Sequence, residues 1–314
     1  MGKVIAICTS AVRGVQKTPV QQAEFRVDWG IVNDAHAGHW HRQVSLLSAD
    51  KIAAFREKGA DVAPGAFGEN LVVEGFDFRA LPVGTLLRCG TVLLEITQIG
   101  KECHNHCAIY KAMGDCIMPR EGVFARVLEG GTIAVGDEMV LVPRTAPRPW
   151  QAAVITLSDR SARGEREDKS GPAVAARLRE NGCEVVEQLL LADDAAALKK
   201  QLIRLCDQRQ LDLVLTTGGT GFGPRDVTPE ATLAVADRQA PGIAEAIRAA
   251  SLAITKNAML SRACRSSGAK PSSSTCPAAP GPAWRAWMSF WTPSPTPWRC
   301  SGADSPTHNP GPRV

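Results

Sequence analysis

No apolar run in the 314 residues approaches the ~20 positions that a membrane-spanning helix needs, so no membrane partner is expected. A basic patch is missing too. The 36 Lys and Arg stand against 32 Asp and Glu, and five of the basic and one of the acidic residues fall within 263–314, so the first 262 positions are neutral. A nucleic-acid footprint needs Lys and Arg clustered on one face, so nucleic acid is not expected as a partner. The opening MGKVIAICTSAV has no charged n-region ahead of a long apolar stretch and does not resemble a secretory signal. Ten cysteines in a chain this long fall short of a disulfide scaffold, which predicts reduced thiols and a cytoplasmic setting. Apolar material is ample, at 44% of residues, over a length that predicts two domains rather than one core.

Residues 1–143 alternate short apolar runs with Gly and Pro turns: VIAIC, LVV, GTLLRCGTVLLEIT and GDEMVLVP. This spacing predicts a mainly β, barrel-like antiparallel domain, with helices at LSADKIAAFREKG (47–59) and GVFARVLEGG (122–131). RTAPRPW (144–150) reads as a linker, because its prolines oppose continuation of helix or strand. From 151 the period changes. AAVITLS, EVVEQLLLA and LDLVLTT read as strands, with SGPAVAARLRENG and DAAALKKQLIRLCDQ as the helices between them. Further helices are expected at about 229–236 and about 241–256. Strands alternating with amphipathic helices predict an α/β three-layer domain over 151–262 with a mostly parallel sheet.

After Arg262 the composition changes again. Ala263 to Arg313 contain no Leu, Ile or Val, yet hold ten of the 21 prolines and four of the seven tryptophans. As written, such a segment lacks the material of a packed element and reads as an aberrant, disordered tail over 263–314. The genetic code offers a cause. If Ser272, Ser273 and Ser274 use TCN codons, reading from each third base gives NTC, which always encodes Phe, Leu, Ile or Val. Continued through Thr275 and Cys276, the shifted reading allows GKTLIVNLPGSP, a strand and turn that the α/β pattern lacks. We therefore read a frameshift near Arg262, with the last strand and helix of the domain lost from this chain.

LTTGGTGFGPRDVTPE (215–230) runs from a strand into a glycine-rich bend. Backbone N–H groups at such a bend cradle anions, and glycines let phosphate oxygens approach closely, a use that fits Gly218, Gly219, Gly221 and Gly223. No Gly-Lys-Ser/Thr follows, so this is not a Walker loop. Thr228 is a sound N-cap and Pro229 a sound first helical residue. Asp226 would repel phosphates unless it holds Mg2+, which bridges carboxylate to phosphate. The plainer alternative is a tight turn with Asp226 as its local cap. Ser158 and Asp159 follow the first strand, Asp168, Ser170 and Gly171 open the next helix, and Asp193 and Asp194 follow the second strand. Ligands of open parallel sheets bind at the carboxyl ends of strands, where all three acidic clusters lie. Their convergence points to a metal–nucleotide site.

With TLSDR, DKSGP, TTGGTGFGPRDVTPEAT and PGIAEAIR, residues 152–262 closely resemble the molybdopterin adenylyltransferase family, the MogA/MoaB-like proteins of molybdenum cofactor synthesis. The resemblance implies Mg2+-dependent transfer of AMP from ATP to the terminal phosphate of molybdopterin, with release of pyrophosphate. By motif, Asp226 matches the acid of the GPRD element and Asp193 the acid after the second strand, so these are the expected catalytic and metal-holding residues. Ser158, Asp159, Asp168, Ser170, Gly171, Gly218, Gly219, Thr220, Gly221, Arg225 and Thr228 make up the expected cofactor-binding set. A homotrimer, and molybdenum insertion enzymes as partners, are also expected on this resemblance.

GKECHNHCAIYKAMGDCIMPREG (100–122) gathers Cys103, His104, His106, Cys107 and Cys116. Three readings are open: a zinc site, although the spacing matches no familiar finger; a thiolate activated by Lys101, Arg120 or the histidines; and plain structural cysteine. With DAHAGHWHRQVSLLS, PGAFGENLVV, GTLLRCG, ITQIGKECH and GDCIMPREGVFARVLEGG, residues 1–143 resemble a MOSC domain, the module named from the C-terminus of molybdenum cofactor sulfurases. The resemblance implies a β-rich domain that binds the cofactor, with a cysteine handling sulfur or ligating molybdenum, a role that suits a soft thiolate. Cys103 stands where the family cysteine lies and is the first candidate as a catalytic residue, Cys116 the second, with Cys107 also open. His36, His41, Arg42 and the triplet Gly68-Glu69-Asn70 are candidates to line an anionic or pterin pocket. Their plainer readings are packing for the histidines and turn capping for Glu69.

Two modules that point to one cofactor predict an enzyme of molybdenum cofactor biosynthesis. Adenylyl transfer falls to the second domain, and cofactor binding or sulfur handling to the first. The rival expectation is a non-catalytic molybdopterin-binding or carrier protein.

Overall fold

Alternating apolar residues build a series of short strands within the first 143 positions, and the computed structural model describes residues 1–103, 108–264, 266–267 and 274–277. In chain order the strands are β1 (Gly2–Thr9), β2 (Thr18–Val20), β3 (Gln22–Arg26), β4 (Gly30–Ile31), β5 (Val44–Ser48), β6 (Leu71–Glu74), β7 (Leu86–Cys89), β8 (Val92–Ile99), β9 (Val123–Glu129), β10 (Gly131–Ala134) and β11 (Glu138–Val142). Three helices, α1 (Ala49–Glu57), α2 (Ala108–Met113) and α3 (Met118–Glu121), are short insertions. The main sheet runs β11-β7-β8-β9-β5-β6-β1-β2, and a further β11–β1 pairing closes seven of these strands into a ring. Closure removes the open edges that a flat sheet would expose. Within the ring only the β5–β6 pairing is parallel. A period of two sends Leu46 of β5 into one apolar cluster with Val4, Leu71 and Leu94, and Leu47 into another with Ile52 and Phe55 of α1. Every residue of VSLLS is therefore buried.

The expected helix at 47–59 forms as α1, but the one expected at 122–131 does not. That segment is β9, paired to β5 on one side and β8 on the other. Val123, Ala125 and Val127 join the first apolar cluster and Phe124 the second, so the same residues satisfy a period of two. Ladder pairing on both sides overrides the local helical signal.

The chain divides into two units, Met1–Arg148 with Asp207–Gln210, and Pro149–Cys206 with Leu211 onward. In the second unit strands and helices alternate: β12 (Gln151–Leu157), α4 (Asp159–Ala162), α5 (Ser170–Glu180), β13 (Glu184–Leu191), α6 (Ala195–Ile203), β14 (Leu213–Thr217), α7 (Thr228–Ala234), β15 (Arg238–Gln239), α8 (Pro241–Leu252), β16 (Ser266–Ser267) and β17 (Ser274–Pro277). Sheet order is β13-β12-β14-β17-β16-β15, with parallel pairing from β13 through β17 and antiparallel pairing beyond. Ala152, Val154, Leu213 and Leu215 pack against Val174 and Leu178 of α5, while Ala153, Ile155 and Val214 pack against Leu198 and Leu202 of α6 and Ala231 of α7. Helices thus cover both faces. All five residues of β14 are buried, as a strand covered on two sides requires.

The sequence predicts loss of the last strand, whereas β17 pairs in parallel with β14 at Val214, Leu215 and Thr216. Main-chain hydrogen bonds need no particular side chain, so the open edge of β14 accepts even STCP as a partner. The last helix and most of 263–314 lie outside the described residues. Among the described residues no helix is long and apolar enough to cross a membrane.

Candidate functional site

β12 and β13 run in parallel and end together, and the residues that follow them lock onto one another. The Asp159 N–H donates to Asp193 Oδ2 at 2.9 Å, and the Asp193 N–H donates to Asp159 Oδ1 at 3.0 Å. This reciprocal pair puts two acids in one place. Arg225 answers with a fork, Nε 2.6 Å from Asp159 Oδ2 and Nη2 2.7 Å from Oδ1. The guanidinium, helped by the Asp193 N–H, holds the Asp159 carboxyl below the ordinary carboxylate range. Ser158 is the N-cap of α4, its Oγ accepting the Ser161 N–H. Asp194 caps α6 by accepting from Ala196 and Ala197, which leaves Asp193 to the acidic pair.

After β14 the chain turns through Gly218 (φ 94°) and Gly219 (φ 61°), both in the left-handed region. A Cβ at 218 would strike the Leu157 carbonyl, and one at 219 would strike the Thr228 hydroxyl and stand 3.3 Å from Asp193 Oδ1. Only glycine lets this bend lie against the acidic strand tips. Thr228, expected as an N-cap, is the first residue of α7, with Val227 in the cap position. Fully buried, Thr228 donates its hydroxyl to the Gly218 carbonyl (2.9 Å) and its N–H to that of Gly219 (3.1 Å), so it ties the bend to the helix. Asp226 Oδ2 accepts the Gly223 N–H at 2.8 Å, and a Cβ on Gly221 would come within 2.7 Å of the same oxygen. The loop, with Thr220 near its start, wraps around this carboxylate.

On the other face of the sheet, Asp168 Oδ1 accepts the N–H groups of Ser170 (2.9 Å) and Gly171 (3.1 Å) and so caps the start of α5. A Cβ on Gly171 would crowd Thr156 Oγ1, which shows how closely this helix start meets β12. Thr156 and Thr217 stand side by side in the β12–β14 register, and both are buried. Among the described residues Thr217 Oγ1 has no hydrogen-bond partner, nor does Thr216 Oγ1. Buried hydroxyls left this way mark a place that a polar ligand or water would satisfy.

Asp159, Asp193, Arg225, Gly219 and Thr228 therefore converge, and Asp168, Ser170 and Gly171 meet Thr156 at the start of α5. Asp226 is engaged inside its own loop. Among the described residues no group of three or more His, Cys, Asp or Glu is arranged to hold a metal. Sequence reasoning missed Thr156 and Thr217, although two threonines closing adjacent parallel strands are a readable signal.

The first unit holds a cavity of about 270 Å³ lined by His36, Trp40, Arg42, Asn70 and Lys101, among others. The Arg42 guanidinium lies 4.7 Å from the Trp40 ring centroid and 5.6 Å from that of Phe124. Asn70 donates to the Cys8 carbonyl (3.0 Å) and to Asp34 Oδ2 (3.1 Å). Asp34 in turn accepts the Lys17 ammonium at 2.6 Å, with side-chain exposures of 0% and 1%, and the His36 N–H at 2.9 Å. Burial alone would raise the Asp34 pKa, but hydrogen bonds from His36 and Lys17 outweigh it and hold the carboxyl far below the ordinary range. Burial also pushes the Cys8 thiol up to about 12, which makes it inert. Glu69 is buried and accepts the N–H groups of Gly65 (2.7 Å) and Phe67 (3.0 Å), so it anchors a turn rather than lining the cavity. His41 pairs with Gln98 at 2.8 Å. Cys103 is exposed and Cys116 buried, while His104, His106 and Cys107 lie outside the described residues.

Both units match known families. Residues 33–140 match the MOSC domain, and residues 153–294 match the family described as a probable molybdopterin binding domain. The first unit is thus of the MOSC class and the second of the molybdopterin-binding class. The chain is a MOSC domain fused to a MogA/MoaB-like domain. Its second half is 43% identical over 111 residues to the molybdopterin adenylyltransferase of Helicobacter pylori strain J99, and 43% identical over 111 residues to that of Escherichia coli K12. These matches cover 35% of this chain, and 63% and 57% of the two relatives, so the chain spans less than two thirds of their length. The crystal structure of the molybdopterin biosynthesis enzyme MoaB from Thermus thermophilus is 36% identical, with a TM-score of 0.41, over 44% of this chain and 87% of that one.

Proposed function

We propose that the second unit transfers AMP from ATP to the terminal phosphate of molybdopterin, and that the first unit binds the cofactor, with Cys103 as the sulfur-handling thiol. One observation carries the first part: the acidic tips of β12 and β13 meet a bend that tolerates no side chain. Relatives named molybdopterin adenylyltransferase support it.

Mg2+ is usually held by one or two carboxylates together with substrate phosphates, not by a protein cage. The donors fit that habit, with Asp193 beside Gly219, Asp226 farther along the same glycine-rich loop, and no group of three or more metal-ligating side chains among the described residues. Asp193 and Asp226 would hold the ion, which when bound neutralises phosphate charge. The chain itself supplies the rest. Backbone N–H groups of 218–222 receive phosphate oxygens, and Ser170 and Gly171 at the start of α5, whose N–H groups are taken by Asp168, offer the cofactor a hydroxyl and a close approach. A molybdopterin phosphate oxygen bonds to the α-phosphorus of ATP as the bond from that phosphorus to the departing pyrophosphate oxygen breaks. Positioning and electrostatics lower the barrier.

The cavity of the first unit, with Arg42 and Lys101 on its wall, suits an anionic, planar ligand. In the cell, we place the protein in the cytoplasm as a homotrimer built on its second unit, passing its product to molybdenum insertion enzymes. A non-catalytic carrier is the second reading, favoured by the composition of 263–314.

Purified protein incubated with molybdopterin, ATP and Mg2+ should yield adenylylated molybdopterin and pyrophosphate. Asp226→Ala and Asp193→Ala should each slow the reaction by about 10²-fold or more, the scale of losing one preorganised charge-stabilising group. Tight molybdopterin binding with no turnover by the unaltered protein would favour the carrier.

A further inference from the structure

We propose that Arg262 is a positioning residue that fixes the shape of the Asp226 loop. The inference rests on the adenylyltransferase reading for its kinetic part and stands apart from it for its structural part. Arg262 lies beyond α8, 36 residues along the chain from Asp226. Its guanidinium spends all three nitrogens on one target: Nε donates to the Gly221 carbonyl at 2.8 Å, Nη2 donates to the Asp226 carbonyl at 2.7 Å, and Nη1 pairs with Glu230. The same group lies 5.5 Å from the ring centroid of Phe222. These attachments span 221–230, from the outer limb of the glycine bend to the first turn of α7.

Apart from the Arg225 fork to Asp159, that limb has little else to hold it. Residues 221–225 are exposed, Phe222 to 71%, and the bonds between Gly223 and Asp226 close only a local turn. Arg262, by contrast, is backed by the fold. Arg248 of α8 donates Nη1 to the carbonyls of Ser261 (3.3 Å) and Ala263 (3.1 Å), which pins the backbone on either side of Arg262. A path of hydrogen bonds therefore runs from α8 through 261–263 to the loop that carries Asp226. A guanidinium satisfies two carbonyls and a carboxylate at once because its donors form a rigid planar fork. A lysine ammonium cannot reach all three.

Hydrogen exchange of the full chain without ligands, read by mass spectrometry, tests the clamp in Arg262→Lys and Arg262→Ala. Peptides covering 219–230 should exchange about tenfold faster or more, the scale of one lost charge-assisted hydrogen bond, while peptides from β12 and β14 keep their protection. In the transfer assay both variants should lose about tenfold or more in kcat with KM for molybdopterin within about twofold, because Asp226 is misplaced and not removed. Added guanidinium ion should restore part of the Arg262→Ala rate. Unchanged exchange at 219–230 would overturn the proposal, and so would faster exchange spread equally through β12 and β14 in both variants. If the unaltered protein transfers no AMP, the adenylyltransferase reading fails, and loop exchange alone decides the role of Arg262.

Discussion

At Asp34 a carboxylate with no exposed side-chain surface gathers donors from Ser10, Lys17, His36 and Asn70, two of which belong to the wall of the first unit's cavity. Removing its charge strands the Lys17 ammonium. Asp34→Asn should cost about 3–5 kcal/mol of stability at neutral pH, measured by urea unfolding of the first unit's signal. The pH dependence has a definite sign. Because the folded pKa is depressed, the contribution is complete above the unfolded carboxyl value of about 4 and is lost as pH falls below it. The gap between the unaltered protein and Asp34→Asn should therefore hold from pH 6 to 8 and narrow below about pH 4. His36 and Arg42 were readable as cavity candidates because their residue types announce polar chemistry. The Lys17–Asp34 and Arg225–Asp159 pairs were not, since they join residues 17 and 66 positions apart and no periodicity marks such partners.

Among the elements, strand burial follows the period of two closely enough to be tested. Leu94 of β8 is fully buried in the larger apolar cluster, whereas Leu141 of β11 is 48% exposed. Leu94→Ala should destabilise the first unit by about 2–5 kcal/mol. Leu141→Ala should cost under about 1 kcal/mol, and equal losses in thermal unfolding would contradict the inward and outward assignment. Long apolar runs made β8, β12 and β14 legible in advance. β9 was not, because VFARVLE satisfies both helical and strand spacing and only its pairing with β5 and β8 decides between them. The two-residue strands β15 and β16 are set by pairing alone and leave no sequence signal. The turn at Gly218 was legible as a glycine bend. Its reason, the Leu157 carbonyl lying where a Cβ would go, belongs to packing between distant strands.

For the whole molecule, two family matches fall on one chain, and the second continues to 294, past Arg262. We propose that 263–314 reflects a frameshift, which the nucleotide sequence across the Arg262 codon decides. The claim on which the account depends is that acids at the strand tips of the second unit hold a divalent ion against nucleotide phosphates. Titration calorimetry of the full chain with ATP, run with Mg2+ and with a chelator, tests it directly. The account predicts that Mg-ATP binds at least about tenfold more tightly than metal-free ATP, and that the difference disappears when Asp193 and Asp226 are both replaced by Ala. Equal affinity for the two forms of ATP in the unaltered protein would contradict it.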